Sequence, residues 1–246
     1  MSQQLASFSS LWFDSLSWQP TEIQQSLFEK LYEKVLAANA GLNLTRITEP
    51  EEFWEKHLWD SLSAIRHFID TYPQRLKANF KVIDVGTGGG FPGVPVAIVQ
   101  PDWLVYLLDS TQKKITFVER LTVELELTNT RTIVGRAEAI AQNKPHREAY
   151  DLVLIRAVAN ANVCAEYVLP LLKLGGTAIL YRGQWTPEET RSLEGALEQL
   201  GGKIGEIKPL TTPLTGGIRH CIYLTKFART PPNFPRAVGI PNQQPL

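Results

Sequence analysis

Apolar positions in the first third of the chain return with a helical period. From Glu22, the residues Ile23, Leu27, Leu31 and Val35 recur every four positions, with Phe28 and Leu36 widening the stripe. This predicts an amphipathic helix ending near Asn39 to Gly41. A second helix is expected over TEPEEFWEKHLWDSLSAIRHFI, where Thr48 and Glu51 have capping-box spacing and Pro50 falls in the first turn. Its buried face would be Phe53, Trp54, Leu58, Leu62, Ile65 and Ile69. The first twenty residues read as loosely structured, with Leu11, Trp12, Phe13, Leu16 and Trp18 available to dock.

After Pro73 the period changes. FKVIDVG, WLVYLLDS, TRTIVG, YDLVLIRAVA and TAILYRG read as strands, separated by the helical stretches GFPGVPVAIVQP, KKITFVERLTVELEL, RAEAIAQN and NVCAEYVLPLLKLGG. Strands alternating with helices predict a parallel sheet joined by right-handed crossovers. A polar helix from Pro187 to Leu200 precedes KIGEIKPLTT and RHCIYLTKF, a final antiparallel pair. The expected architecture is α/β: a mostly parallel seven-stranded sheet, helices on both faces and an N-terminal helical extension. Three segments follow: 1–75 for the extension, 76–228 for the α/β domain, and 229–246 for a basic tail packed on or near it.

Composition narrows the classes. The 246 residues have a formal net charge of zero and 43% hydrophobic content, which excludes a broadly basic coat for naked nucleic acid. No apolar run is long enough for a membrane helix. The two cysteines, Cys164 and Cys221, have no CxxC spacing, so neither a disulfide framework nor a zinc site is expected, and a reducing cytoplasm is the default compartment. The tail carries Lys226, Arg229 and Arg236 with no acid, which reads either as a solvated arm or as a nucleic-acid contact.

The candidate chemistry sits in VIDVGTGGGFPG, Val82 to Gly93. Gly88, Gly90 and Gly93 satisfy the dinucleotide fingerprint, while Gly86, Gly88 and Gly90 satisfy the loop of Rossmann-like class I methyltransferases. Pro92 and Pro95 remove donors that a pyrophosphate would use. Asp84 stands two residues before Gly86 and suits either a cationic cofactor moiety or a helix cap. Asp109 ends the second strand, where an acid accepts from ribose hydroxyls in either cofactor class. Ala137 and Glu138 stand at the third strand end, beside a possible adenine edge. Arg156 follows the fourth strand, facing the same crevice. His57 and Asp60 form a polar pair on the second helix, either a local hydrogen bond or an RNA contact. Arg182 and Arg236 are candidate phosphate contacts or ordinary solvated arginines.

LIRAVANA lacks the Asn/Asp-Pro-Pro-aromatic motif of exocyclic-amine methylation, and Cys164 and Cys221 read as inert core thiols rather than nucleophiles. An acceptor with a free lone pair, such as guanine N7, needs neither device.

DVGTGGGFPGVPVAI, LLDSTQKKITFVE, GRAE, YDLVLIRAVA and EYVLPLLKLGG together resemble the RsmG/GidB family, as do NLTRI, KHLWDSL and the terminal RTPPNFPRAVGIPNQQPL. The resemblance implies a class I methyltransferase fold, S-adenosylmethionine as cofactor, and N7 methylation of a guanine in the decoding-region loop of 16S rRNA. It implies cofactor contacts at Gly86, Phe91, Asp109, Ser110, Thr111, Ala137, Glu138 and Arg156. No metal and no general base are implied. Gly89, Ile155 and Arg182 depart from the alanine, serine and lysine common in the family, the last two in the RNA-facing region. The neutral charge suggests a small-subunit particle or assembly intermediate as substrate. Competing readings are an NAD-linked oxidoreductase, a small-molecule methyltransferase of the same fold, and a noncatalytic ribosome-binding protein.

Overall fold

The fold is seen in a computed structural model, which describes Leu5, residues 8–71 and residues 80–246. The side chain of Ile69 and the expected boundary near residue 75 lie outside the described residues. Seven strands form one sheet: β1 Lys81–Val85, β2 Leu104–Asp109, β3 Thr130–Val134, β4 Tyr150–Arg156, β5 Leu172–Arg182, β6 Gly202–Thr211 and β7 Ile218–Lys226. Their order is β3-β2-β1-β4-β5-β7-β6, with the first five parallel and β7 antiparallel to both neighbours. The helices are α1 Ser9–Leu16, α2 Glu22–Leu42, α3 Pro50–Phe53, α4 Asp60–Ser63, α5 Arg66–Thr71, α6 Gly93–Val99, α7 Gln112–Glu124, α8 Ala137–Gln142, α9 Ala161–Val168, α10 Pro187–Leu200 and α11 Ile240–Gln243.

Strand alternation sorts side chains between the faces. Leu152, Leu154, Ile179, Tyr181, Cys221 and Tyr223 join the core shared with α1, α2, α6 and α7. Val153, Ile155, Ala178, Leu180, Ile222 and Leu224 join the core under α8, α9 and α10. The crossover helices α6 and α7 pack on the first face over β1 and β2, leaving the β4, β5 and β7 part of that face to the N-terminal segment. Phe53, Trp54, Leu58, Leu62 and Ile65 fill it as the pattern predicts. Ile23 does not belong to the buried stripe of α2; it is 75% exposed.

The first twenty residues are more ordered than their sequence suggests. Trp12 on α1 meets Trp54 with centroids 4.9 Å apart and stacks on Phe28, so an aromatic cluster docks a helix too short to persist alone. Phe13 is left exposed.

The second predicted helix is broken. Glu49, rather than Thr48, occupies the N-cap of α3, and Thr48 offers its carbonyl to the Tyr32 hydroxyl. Trp54–Trp59 is a π-helical turn between α3 and α4, and the chain breaks again before α5. Ser61 Oγ donates back to the His57 carbonyl, while the Tyr181 and Tyr223 hydroxyls donate to the carbonyls of Ser61 and Ala64 from the sheet, at 2.9 and 2.7 Å. Competing donors of this kind unsettle a regular ladder. Glu55, His57 and Asp60 are all buried in this stretch.

The helix predicted through Gly176 ends earlier: a 3₁₀ turn at Leu169–Leu171 contains Pro170, and β5 begins at Leu172, paired with Tyr150.

The tail is packed by charge pairing rather than solvated. Arg236 binds Glu166, whose side chain is fully buried, through Nε at 3.0 Å and Nη2 at 2.6 Å. Lys226 is fully buried and donates to Glu148 and to the carbonyls of Leu169 and Leu172. Arg236→Ala therefore leaves a buried carboxylate without its cation, and urea denaturation is expected to show a loss of about 3 kcal/mol.

Candidate functional site

Four neighbouring strand ends open into one cavity of about 320 Å³. Gly86 comes from β1, Asp109, Ser110 and Thr111 from β2, Ala137 and Glu138 from the β3 end, and Ala157 to Ala159 from the β4 end. The gap lies where the strand order reverses, the usual position for a ligand in an open α/β sheet. Gly86 has φ +78°, and a Cβ there would lie 2.5 Å from Val158 Cγ2, so the first turn admits only glycine.

Asp109 stitches the cavity floor. Its Oδ2 accepts from the Gly88 amide at 3.0 Å and its Oδ1 from the Thr111 amide at 2.8 Å. Each oxygen keeps a lone pair for a further donor. Glu138 is 1% exposed, and Arg136 holds its carboxylate with bonds of 3.0 and 3.3 Å. Burial raises its pKa, but the Arg136 side chain and the Gly239 amide outweigh that and hold it below the ordinary carboxylate value.

Asp84 lies beneath the loop rather than against the cavity. It is wholly buried, and its Oδ2 accepts from the Gly93 amide at 2.8 Å. The structure thus favours the helix-cap reading. A Cβ on Gly93 would fall 2.2 Å from Leu107 Cδ2, so glycine here lets α6 press onto the sheet. The first amide of α6 is satisfied inside the fold, and α6 contributes no residue to the cavity lining. A pyrophosphate on that helix start has no site. A cavity with the Asp109 carboxylate at its floor and the apolar walls Leu108, Ala137 and Val158 has the chemistry to suit an adenosine with no diphosphate.

Phe91 and Arg156 do not line this cavity. Phe91 is 6% exposed and stacks on His57 with centroids 4.3 Å apart. Arg156 donates from Nη1 to Asp60 Oδ2 at 2.8 Å and to the Lys56 carbonyl at 2.9 Å. It lines a second crevice of about 280 Å³ with Asp60, Tyr181, Arg182 and Arg219, and the two cavities meet at Ala157. Arg156 and Arg219 share the Asp60 carboxylate, and Arg182 pairs with Glu189 at 3.4 Å, so this crevice is lined by three guanidinium groups with one carboxylate among them. Arg182 is anchored by its bond to the Ala159 carbonyl at 2.8 Å, and Arg219 approaches Asp60 at 3.5 Å.

His57 and Arg236 do not present free surfaces. His57 is 8% exposed, with Nε2 at 2.8 Å from Thr45 Oγ1 and Nδ1 at 3.4 Å from Arg156 Nη2. An arginine can only donate, so Nδ1 accepts and Nε2–H points at Thr45. Burial, with Arg156 and Lys56 nearby, lowers its pKa to about 3. Arg236 is committed to Glu166. The sequence reading missed Lys114, Arg136, Tyr167, Asn242 and Arg219, which line the two cavities. Lys114 and Tyr167 had a signal in helix phase; Asn242 and Arg219 had none.

Comparison with known proteins shows the family and the fold. The family described as rRNA small subunit methyltransferase G (GidB) matches residues 24–217. The chain is 56% identical over 251 residues to "Ribosomal RNA small subunit methyltransferase G" of Trichormus variabilis, covering 100% of both chains. It is 53% identical to the protein of that name from Trichodesmium erythraeum, covering 99% of this chain and 95% of the relative. In fold it resembles a 16S rRNA (adenine(1408)-N(1))-methyltransferase mutant with cosubstrate SAM from Catenulisporales acidiphilia, with TM-score 0.52, 18% identity, and 61% and 86% coverage. M. jannaschii TYW2 in complex with AdoMet is similar, with TM-score 0.51, 16% identity, and 69% and 76% coverage.

Two titrations follow. The lowered pKa keeps His57 neutral, so its imidazole NMR signal is expected to stay fixed from pH 8 down to pH 5. Burial raises the Asp84 pKa from 3.8 to about 6. Its contribution to stability is therefore full below pH 3.8 and is lost as pH rises through about 6. Comparing Asp84→Asn with the parent by denaturation at pH 4 and pH 7, the gap should change by about 2 kcal/mol, in favour of Asn at the higher pH.

Proposed function

This chain belongs to the rRNA small subunit methyltransferase G (GidB) family, and we propose that it methylates N7 of a guanine in the decoding-region loop of 16S rRNA. The observation that supports this reading most is the meeting of the two cavities at Ala157: one suited to adenosine, one lined by arginines. S-adenosylmethionine, when bound, supplies an electrophilic methyl group. On this reading, Asp109 accepts from the ribose hydroxyls, Gly86 allows close backbone approach, and Ser110, Thr111, Ala137 and Glu138 border the adenosine. Phe91 and Arg156 act from the side: the ring braces His57, and the guanidinium forms the border between the crevices.

Guanine N7 carries a lone pair and no proton, so the residues around it need only position the base and exclude water. The site chemistry is consistent with that. Both His57 nitrogens are engaged within the fold. Burial raises the thiols of Cys164 and Cys221 to about 11 and about 12, so neither is a thiolate nucleophile at neutral pH. On this reading Arg182 and Arg219, which line the second crevice, hold phosphate oxygens beside the base.

A formal net charge of zero gives weak attraction to naked RNA, so an assembling or complete small-subunit particle in the cytoplasm is the substrate proposed here. No helix among the described residues is long and apolar enough to cross a membrane.

Mapping N7-methylguanine in 16S rRNA should show one site absent from a strain lacking the gene and restored by the purified protein on its small subunits. An unchanged modification pattern rejects the proposal. Arg219→Ala should lower kcat/KM for the particle about 10-fold while leaving the Kd for S-adenosylmethionine unchanged, whereas Asp109→Ala should weaken cofactor binding directly.

A further inference from the structure

The residues from Ala228 onward lie beyond the matched family region, yet they reach the first cavity. They are held there by polar bonds spread along the segment. Arg147 donates to the carbonyls of Thr230, Pro231 and Phe234. Arg236 neutralises the buried Glu166, and the Gly239 amide donates to Glu138 Oε1 at 3.0 Å. Asn162 donates to the Leu246 carbonyl at 2.5 Å. Between these anchors, Asn242 joins the cavity lining.

We propose that the C-terminal segment is the outer wall of the cofactor cavity and that the Asn242 carboxamide hydrogen-bonds the adenosine end of S-adenosylmethionine. The inference rests on reading this cavity as the S-adenosylmethionine site. Three observations carry it. The segment is tied through Gly239 to Glu138, at the β3 end of the cavity, rather than to the glycine loop at the β1 end. The Asn242 side chain has no hydrogen-bond partner among the described residues, so its donor and acceptor are both available. A carboxamide also matches adenine, accepting from the exocyclic amine while donating to N7. Glu138, by contrast, is engaged by Arg136 and Gly239, so it acts as an anchor for the wall.

The wall is independent of the rest of the fold at Asn242 itself. The side chain is exposed, and its replacement leaves the Arg236–Glu166 and Gly239–Glu138 bonds in place. Binding and wall order are then linked: a ligand that engages Asn242 must steady the segment.

The test is calorimetric titration of the full-length protein, its Asn242→Ala variant, and a chain ending at Pro241, with S-adenosylmethionine, S-adenosylhomocysteine and methylthioadenosine. The proposal expects both variants to lose affinity for all three ligands by the same factor, about 5-fold to 10-fold, with the ligand-free melting temperature of Asn242→Ala unchanged. In the parent, S-adenosylhomocysteine should also slow amide hydrogen exchange across residues 239–244, an effect that Asn242→Ala weakens. Parent-like affinities in Asn242→Ala overturn the proposal while leaving the cofactor site intact. A loss confined to the two ligands with an amino-acid chain overturns the adenosine assignment. A parent protein that binds none of the three removes the cofactor reading itself.

Discussion

Reversal of strand order between β1 and β4 is the constraint on which the rest of the molecule depends. Right-handed crossovers running outward from β1 place α6 and α7 on one face of the sheet. Those running outward from β4 place α9 on the other. Neither helix set covers the ends of β1 and β4, so a crevice opens there of necessity. The same geometry leaves the β4, β5 and β7 part of the first face bare. The N-terminal helices cover it, with Trp54, Leu58 and Leu62 joining Leu154, Ile179 and Tyr223 in one buried cluster.

Covering the sheet also brings the N-terminal segment into the site. The π-helical turn lies in a stretch buried on all sides except at Lys56, so Glu55, His57 and Asp60 each meet a different neighbour inside the fold. Asp60 pairs with Arg156, His57 stacks on Phe91 of the glycine loop, and Glu55 holds the Leu214 and Thr215 amides. These contacts form a continuous path from the glycine loop through His57 to Arg156. The two cavities consequently share structural walls as well as a boundary at Ala157.

Charge is local in this protein. A formal sum of zero conceals a second crevice lined by three arginines and one aspartate. The opposite holds for the tail, whose cations look available in one dimension and are spent in three. Lys226 and Arg236 each neutralise or cap buried acceptors, and Arg229 alone of the three stays largely exposed. Fixing the tail this way costs surface charge and supplies a stable position for residues 239–244.

The fold was legible because short apolar runs for buried strands alternate with stretches of helical period in the order of residues. The polar helix predicted from Pro187 to Leu200 has those bounds, with Thr186 in a capping box and Gly201 as its left-handed C-cap. The cavity at the strand ends was legible for the same reason: Gly86, Asp109 and Ala137 each follow a strand, and parallel strands end on one side. What the order of residues could not convey was the partner of each charged group. Arg236 and Glu166 are 70 residues apart, and Gly239 and Glu138 are 101 apart. Whether His57 faces RNA or stacks on Phe91, and whether Asp84 meets a ligand or caps α6, depended on bonds of that kind. The sequence by itself determined the sheet, its direction and the place of the crevice, since those follow from local period and chirality. Only the tertiary structure decided which side chains remain free to act there, because a polar group's role is set by whatever the fold packs against it.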